Sequence, residues 1–303
     1  MAMAEGSKRV VLAALVGNLA IAMIKLVAWA FTRSSAMLTE GVHSLVDSGD
    51  QVLLLIGQAR GAKPPDESHP LGYGMETYFW SFIVALMVFL LGGAVSIVEG
   101  VLKLIHPEPM TRPWINYVVL GASAVFEGAS FMTAYREYRR VVRGRDVRLF
   151  RFLQLSKDPN VFATLLEDGA AMLGLAIAAI GVSLSGLGVP WGDGAASILI
   201  GLLLVVVAGF LANETRSLIA GEAAADPVVQ QVRKEICADP RVTSLDEVLS
   251  LHLGPNTILI AATVMFRSDL SGDEIQAAAR ELTRNIARAD ERISRVFLKP
   301  SEA

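Results

Sequence analysis

A histidine and an aspartate, His43 and Asp47, lie four residues apart inside a segment that is otherwise apolar enough to cross a bilayer. Residues at i and i+4 share one face of an α-helix and are about one turn apart. Ionisable groups at membrane depth are costly, so they usually line an ion path or face a partner. An imidazole beside a carboxylate supplies two of the ligands that a zinc-like cation prefers. The pair therefore predicts half of a cation site.

A second apolar segment carries polar groups that could complete this site. Thr164 and Asp168 are again four residues apart and share a helix face, whereas Glu167 lies about 100° away around the helix. Glycine and alanine follow Asp168, and such small residues allow another helix to approach closely. Two helices with facing polar pairs, His43/Asp47 and Thr164/Asp168, predict a divalent cation site. The alternative is a buried ion pair or a hydrogen-bonded polar core.

The composition indicates a membrane domain followed by a smaller soluble domain. Of the 303 residues, 53% are hydrophobic and 19% are charged, and the last third is visibly the most charged. We predict a transmembrane domain over residues 1–218 and a cytoplasmic dimerisation domain over residues 219–303. The single cysteine, Cys237, excludes a disulfide framework and a cysteine-cluster metal site. No cleavable signal peptide is apparent, which favours a cell membrane.

Six segments reach the length of about 20 residues that a helix needs to span the hydrocarbon core. We place them near residues 10–31, 35–57, 78–104, 114–135, 161–185 and 191–212. Basic residues are concentrated before the first span, after the second, and between the fourth and the fifth, where they run from Arg136 to Lys157. Because cytoplasmic loops are enriched in Lys and Arg, both termini are predicted to be cytoplasmic. This basic loop is interpreted as an orientation determinant, so no nucleic-acid partner is expected.

The last 80 residues have the pattern of a small α+β domain. A helix, two strands, a second helix and a last strand are predicted over residues 226–238, 242–252, 258–266, 271–289 and 295–298. Asp226 is a candidate N-cap for the first helix, and Ser271 and Glu274 have capping-box spacing. The order αββαβ predicts a ferredoxin-like domain with its helices on one face of the sheet. The fold class is thus an all-α six-helix transmembrane domain plus this α+β domain.

The whole pattern resembles the cation diffusion facilitator family. The resemblance covers essentially the whole chain, and it is carried by the segments Glu40–Ser48, His69–Gly74 and Leu166–Asp168. It implies a homodimeric transporter, with no enzyme activity and no prosthetic group, that exchanges Zn²⁺, or sometimes Fe²⁺, Mn²⁺, Co²⁺, Ni²⁺ or Cd²⁺, for protons. The family's central site uses two residues of span two and two of span five, and His43, Asp47 and Asp168 match it.

Two positions depart from the family pattern. Thr164 stands where many members have histidine or aspartate, so water or Glu167 would complete the site, and the preference for zinc over harder ions stays open. A second, weaker site in the loop before span three is matched by Asp66 and His69, but Tyr73 replaces its second histidine. The alternative for this loop is a polar turn.

Three further polar residues receive lesser roles. His252 is predicted to be an ordinary strand residue, because it is the only histidine after His106. Lys25 is expected to extend its ammonium group towards the membrane surface. Glu127 is either a proton carrier or hydrogen-bonded to Asn18 or a serine.

The predicted mechanism is alternating access with metal/proton antiport. Metal and proton compete for the same lone pairs, and the reference pKa of about 6.5 for histidine suits exchange at physiological pH. A membrane metalloenzyme is disfavoured because the His-Glu-x-x-His motif is missing from the sequence. A sensor or scaffold that does not transport is disfavoured by the intact set of His43, Asp47 and Asp168.

Overall fold

A computed structural model of the chain describes residues 2–106, 112–142 and 159–301. Residues 143–158 of the predicted basic loop lie outside these ranges. The chain divides into two compact units. The first contains Met1–Ile56 and Trp80–Glu214, and the second contains Gly57–Phe79 and Thr215–Ala303. The domain boundary near residue 218 stays a prediction.

Long helices build the first unit. In chain order the helices are α1 Ala2–Thr32, α2 Ser35–Gly61, α3 Met75–Met87, α4 Val95–Ile105, α5 Pro113–Val142, α6 Pro159–Gly186 and α7 Gly192–Gly221. A π-helical segment, Val88–Ala94, links α3 to α4. The helices overlap the six predicted segments, with α3 and α4 both in the third, and α1, α5 and α7 are longer than predicted.

Within the described residues, five helical segments are long and apolar enough to cross a membrane. They are Leu15–Thr32, Met75–Ile105, Trp114–Thr133, Phe162–Gly186 and Gly192–Cys237, the last of which contains α7. Helix α2 has sufficient length but is not among them, since it carries Glu40, His43, Asp47 and Asp50. The chain is therefore an integral membrane protein with several apolar helices, and a sixth span at α2 stays a prediction.

The first unit exposes large apolar side chains and buries ionisable ones, which is the reverse of the arrangement in a water-soluble protein. Large apolar side chains such as Met23, Val27 and Phe31 of α1 are more than half exposed, whereas ionisable side chains such as Lys25 and Asp50 are fully buried. An apolar exterior suits lipid, and ionisable residues within such a bundle mark functional positions.

The start of α2 is held by a carboxylate from another helix. Asp193 of α7 accepts hydrogen bonds from Ser34 Oγ at 2.6 Å, from the backbone N–H of Ser35 at 2.6 Å and from the backbone N–H of Ala36 at 3.3 Å. The first N–H groups of a helix lack partners within that helix, so an outside acceptor stabilises its terminus. This contact fixes the helix that carries His43 and Asp47.

The π-helical segment and α4 approach α7 through glycines. A Cβ added to Gly201 would lie 2.9 Å from the carbonyl oxygen of Gly93 and 2.9 Å from the backbone nitrogen of Ile97. About two helical turns away, a Cβ at Gly100 would lie 2.7 Å from the carbonyl oxygen of Gly194. Small residues permit this close packing of membrane helices, because no side chain separates the backbones.

Substitution of Gly201 by alanine should therefore destabilise the helix bundle. The new methyl group meets backbone atoms that cannot rotate away, and overpacking typically costs about 1–3 kcal/mol. Gly209 is a matched control in the same helix, since a Cβ there meets no atom within 4 Å. Gly209→Ala should leave stability unchanged or raise it by up to about 1 kcal/mol through helix propensity. Thermal unfolding of the purified variants measures both effects, and equal melting temperatures would contradict the packing argument.

The second unit contains the predicted order of helices and strands. These are α8 Asp226–Cys237, β1 Val242–Gly254, β2 Thr257–Phe266, α9 Gly272–Ala289 and β3 Ile293–Pro300. Strand β2 lies between the others, antiparallel to β1 and parallel to β3. The buried face of the sheet, including Ile258, Ile260 and Val264, packs with apolar residues of the helices, including Val232 and Ile286. A small three-stranded α+β unit is thus observed, and its ferredoxin-like classification stays a prediction.

Of the two helix caps predicted for this unit, one is observed and the other is not. The capping box of Ser271 and Glu274 is present, with the backbone N–H of Ser271 donating to the Glu274 carboxylate at 2.8 Å. Asp226, however, is not an N-cap. Ala225 occupies that position without a side-chain cap, and Asp226 is the first helical residue, where its charge faces the positive end of the helix dipole.

His252 is buried in β1. Its backbone N–H donates to the carbonyl of Glu222 at 3.0 Å, and it lies opposite Ile258 in the sheet. These are the contacts of a strand residue in the core of this unit, as expected.

Candidate metal centre

Helix α2 presents a stripe of three ionisable side chains. His43, Asp47 and Asp50 occupy positions i, i+4 and i+7, which share one helix face. The imidazole of His43 is 1% exposed, and its Nδ1 lies 3.4 Å from Oδ1 of Asp47. Asp50 was missed by the sequence reasoning, although the i+7 spacing was a usable signal.

Helix α6 brings a second set of groups to the same region. Asp168 accepts a hydrogen bond from Ser130 of α5, with 3.0 Å between Ser130 Oγ and Asp168 Oδ2. Glu167 is buried, with 8% of its surface exposed. The small residues after Asp168 do permit close approach, since a Cβ at Gly174 would lie only 2.6 Å from Glu40 Oε1 of α2.

A cavity of about 40 Å³ lies between these helices. This volume is enough for a cation or for water. Residues of α1, α2, α5 and α6 line it: Asn18, Ile21, Ser44, Asp47, Gln51, Leu54, Glu127, Ser130, Thr164, Glu167, Asp168 and Ala171. Four of the five predicted ligands, Asp47, Thr164, Glu167 and Asp168, are therefore brought together. His43 is not among the lining residues.

Several buried polar atoms, some on residues that line the cavity and some on the His43/Asp47/Asp50 stripe of α2, lack hydrogen-bond partners in the described part of the chain. They are His43 Nδ1 and Nε2, Asp47 Oδ1, Asp50 Oδ1 and Oδ2, Glu127 Oε2 and Glu167 Oε1. An unsatisfied buried polar group costs about 1–3 kcal/mol, and a charged group costs more. Such a concentration of buried carboxylate oxygens without hydrogen-bond donors is suited to a positively charged ligand.

The arrangement is not a complete ligand set by itself. Over residues 2–106, 112–142 and 159–301, no three side chains of His, Cys, Asp or Glu are grouped in a way that could hold a metal ion. A cation in the cavity would therefore need water, hydroxyl or amide oxygens as additional ligands, or a closer approach of α2 and α6.

Lys25 forms a buried ion triad beside the cavity. Its Nζ donates to Glu40 Oε2 at 3.1 Å, to Ser44 Oγ at 2.8 Å and to Glu127 Oε1 at 2.6 Å. The side chain is 0% exposed, so the expectation that its ammonium group reaches the membrane surface is wrong. Two carboxylates from other helices neutralise the ammonium group inside the bundle, so it does not have to reach the membrane surface to be stabilised.

The loop before α3 forms a compact polar turn. Asp66 Oδ1 accepts from Ser68 Oγ at 2.7 Å and from the backbone N–H of His69 at 2.8 Å, while Oδ2 accepts from the phenol of Tyr73 at 2.5 Å. These hydrogen bonds, that from Tyr73 first, hold the pKa of Asp66 below its usual range. Both carboxylate oxygens are thus engaged within the turn, which agrees with the alternative to a metal site. Metal binding by Asp66 and His69 stays a prediction.

Comparison with known proteins gives a family match and several relatives. Residues 11–220 match the family model described as the cation efflux transmembrane domain. Human "Proton-coupled zinc antiporter SLC30A9, mitochondrial" is 33% identical over 263 residues, which are 86% of this chain and 46% of the relative.

Two further relatives come from a plant and a bacterium. Metal tolerance protein C4 of Arabidopsis thaliana is 34% identical over 267 residues, covering 88% of this chain and 58% of the relative. The cation-efflux pump FieF of Cronobacter sakazakii is 27% identical over 254 residues, covering 84% and 79%. The chain spans about half the length of the SLC30A9 relatives that it matches.

Proposed function

The chain belongs to the cation diffusion facilitator family, and we propose that it exports a divalent metal cation, with Zn²⁺ preferred, in exchange for protons. The observation that carries this proposal is the cavity lined by Asp47 of α2 and by Thr164, Glu167 and Asp168 of α6. Proton coupling and zinc are supported by the name of the SLC30A9 relative, a proton-coupled zinc antiporter.

The proposed cycle treats α2 as a membrane span in addition to the five apolar segments, and it keeps both termini in the cytoplasm. A cation enters from the cytoplasm and is bound by Asp47 and Asp168, with neutral His43 next to Asp47. The bundle then opens outward, where protons displace the cation, because ligands must be deprotonated to coordinate a metal. Because the hydroxyl of Thr164 is a poor metal ligand, Glu167 or water completes the coordination.

The assembly and the membrane are also proposals. The second unit is proposed to dimerise, so that the working form is a homodimer. A cell membrane is the proposed location. A mitochondrial membrane is the alternative, since the name of the SLC30A9 relative includes that organelle.

A harder cation such as Mn²⁺ or Fe²⁺ is the second candidate substrate. The cavity lining includes the carboxylates of Asp47, Glu127, Glu167 and Asp168, but His43 is not part of it. Oxygen-rich sites suit harder cations, whereas imidazole favours zinc.

Reconstitution into liposomes with a pH-sensitive dye inside tests the proposal. External Zn²⁺ should enter only in protein-containing liposomes, and its entry should be accompanied by proton efflux. Parallel runs with Mn²⁺ and Fe²⁺ rank the substrates. Zinc entry without proton movement would remove the antiport mechanism, and no metal entry for any of the three ions would remove the transport function.

A further inference from the structure

Glu127 of α5 belongs both to the buried ion triad and to the cavity of the central site. Its Oε1 lies 2.6 Å from Nζ of Lys25, so its donor among the described residues is Lys25, whereas the sequence suggested Asn18 or a serine. Its Oε2 is buried and has no hydrogen-bond partner in the same ranges. The residue lines the cavity together with Asp47 and Asp168. One oxygen of this carboxylate thus contacts an ammonium group, and the other is not used by a described donor.

Two hydrogen bonds connect the triad with the walls of the cavity. Ser130 follows Glu127 by three residues, so both lie on one face of α5, and Ser130 Oγ donates to Asp168 Oδ2 at 3.0 Å. On the α2 side, Lys25 donates to Ser44 Oγ at 2.8 Å. Ser44, Glu127, Ser130 and Asp168 all line the cavity. Glu127 is therefore held at the cavity by the same face of α5 that contacts a predicted ligand.

A further carboxylate fits the chemistry of the predicted site. A cation such as Zn²⁺ is usually held by about four ligands, and Thr164 is a poor one. Over the described ranges, no three side chains of His, Cys, Asp or Glu already surround a common metal position, so at least one side chain has to turn towards the cation. Glu127 is suited to this movement, because its side chain is long and its Oε2 has no described donor to give up. Across the cavity, Glu167 is 8% exposed and its Oε1 also lacks a described donor.

We propose that Glu127 is a further ligand of the transported cation, and that Lys25 holds its carboxylate when no cation is bound. This inference rests on the proposed transport function. The ammonium group and the divalent cation compete for one carboxylate, and at equal distance the doubly charged ion attracts it more strongly. Lys25 keeps Glu40 as a partner, at 3.1 Å. The release of Glu127 to the cation therefore leaves no member of the triad as an unpaired buried charge.

Glu40 is the matched carboxylate within the triad. It accepts from Lys25 through Oε2, and its Oε1 has no hydrogen-bond partner among the described residues, as is the case for Oε2 of Glu127. Glu40 does not line the cavity, and its Oε1 lies beside Gly174 of α6 instead. Replacing either acid by glutamine removes one carboxylate from Lys25, but only Glu127→Gln removes one from the cavity.

Equilibrium titration of the purified full chain with Zn²⁺ measures this difference. Glu127→Gln should raise the dissociation constant at least about tenfold, the lower end of the range for lost partners in metal sites. Glu40→Gln should leave the dissociation constant of the unmodified protein unchanged. In liposome uptake, the half-saturating Zn²⁺ concentration should rise for Glu127→Gln alone. Equal dissociation constants for the two variants would overturn the proposal.

A charge-balanced pair of variants covers the case in which Glu127→Gln does not fold. Lys25→Met/Glu127→Gln and Lys25→Met/Glu40→Gln each remove one positive and one negative charge from the triad. The first should bind Zn²⁺ at least about tenfold more weakly than the second, because only the second keeps Glu127 and lacks the competing ammonium group. Equal binding by the pair would also overturn the proposal. Failure of the transport function itself would appear separately, as absence of metal uptake by the unmodified protein.

Discussion

Replacing Asp47 by asparagine is expected to reduce zinc uptake into reconstituted liposomes by at least about a hundredfold at low metal concentration. Asp47 lines the cavity and has one oxygen without a hydrogen-bond partner among the described residues. Removal of one partner from a buried charge pair costs about 3–5 kcal/mol, and every 1.4 kcal/mol is about a tenfold loss of affinity. The Asp168→Asn variant should lose uptake to a similar extent.

The control for this experiment is a buried carboxylate outside the cavity. Asp193 satisfies its oxygens with hydrogen bonds to the start of α2, so Asp193→Asn should affect stability more than metal affinity. Uptake that persists in both Asp47→Asn and Asp168→Asn, in correctly folded protein, would remove these residues from the transport site.

The largest loss of stability is expected for Lys25→Met. Methionine fills a similar volume but leaves the carboxylates of Glu40 and Glu127 without their buried cation, and breaking a buried pair in this way costs about 3–5 kcal/mol. A decrease in melting temperature on the order of 10 °C should result. The double variant Lys25→Met/Glu40→Gln should recover part of the loss, because it removes one of the two uncompensated charges.

Lys103→Met is the matched control for the ion triad. Its Nζ donates to a backbone carbonyl at 2.7 Å, so its replacement removes one hydrogen bond and leaves no carboxylate of the described residues unpaired. The loss should be smaller, about 1–3 kcal/mol. Equal destabilisation by both variants would show that burial of a long side chain, and not charge pairing, determines the effect.

Local patterns were sufficient to predict the main elements. Long apolar runs set the positions of α1, α6 and α7, and the period of two in Ile258–Phe266 predicted β2. The Ser271/Glu274 capping box predicted the start of α9, since all atoms of that motif lie within four residues. These features depend on short-range chemistry that a single segment contains.

Contacts between distant segments could not be predicted in the same way. Lys25 is 102 residues from Glu127, and Asp193 is 158 residues from Ser35. Each of these side chains has other options in isolation, such as the membrane surface for Lys25, and only the packed bundle selects the partner. Asp50 is intermediate, because its spacing from His43 and Asp47 was visible while its lack of a donor was not.

The position of a bound cation tests the central claim most directly. Purified protein loaded with Zn²⁺ can be crystallised and the metal located from anomalous diffraction at the zinc edge. The proposal predicts a peak between α2 and α6, at about 2 Å from carboxylate oxygens of both Asp47 and Asp168. A peak confined to the Asp66–His69 loop, with none in the cavity of the loaded protein, would contradict it.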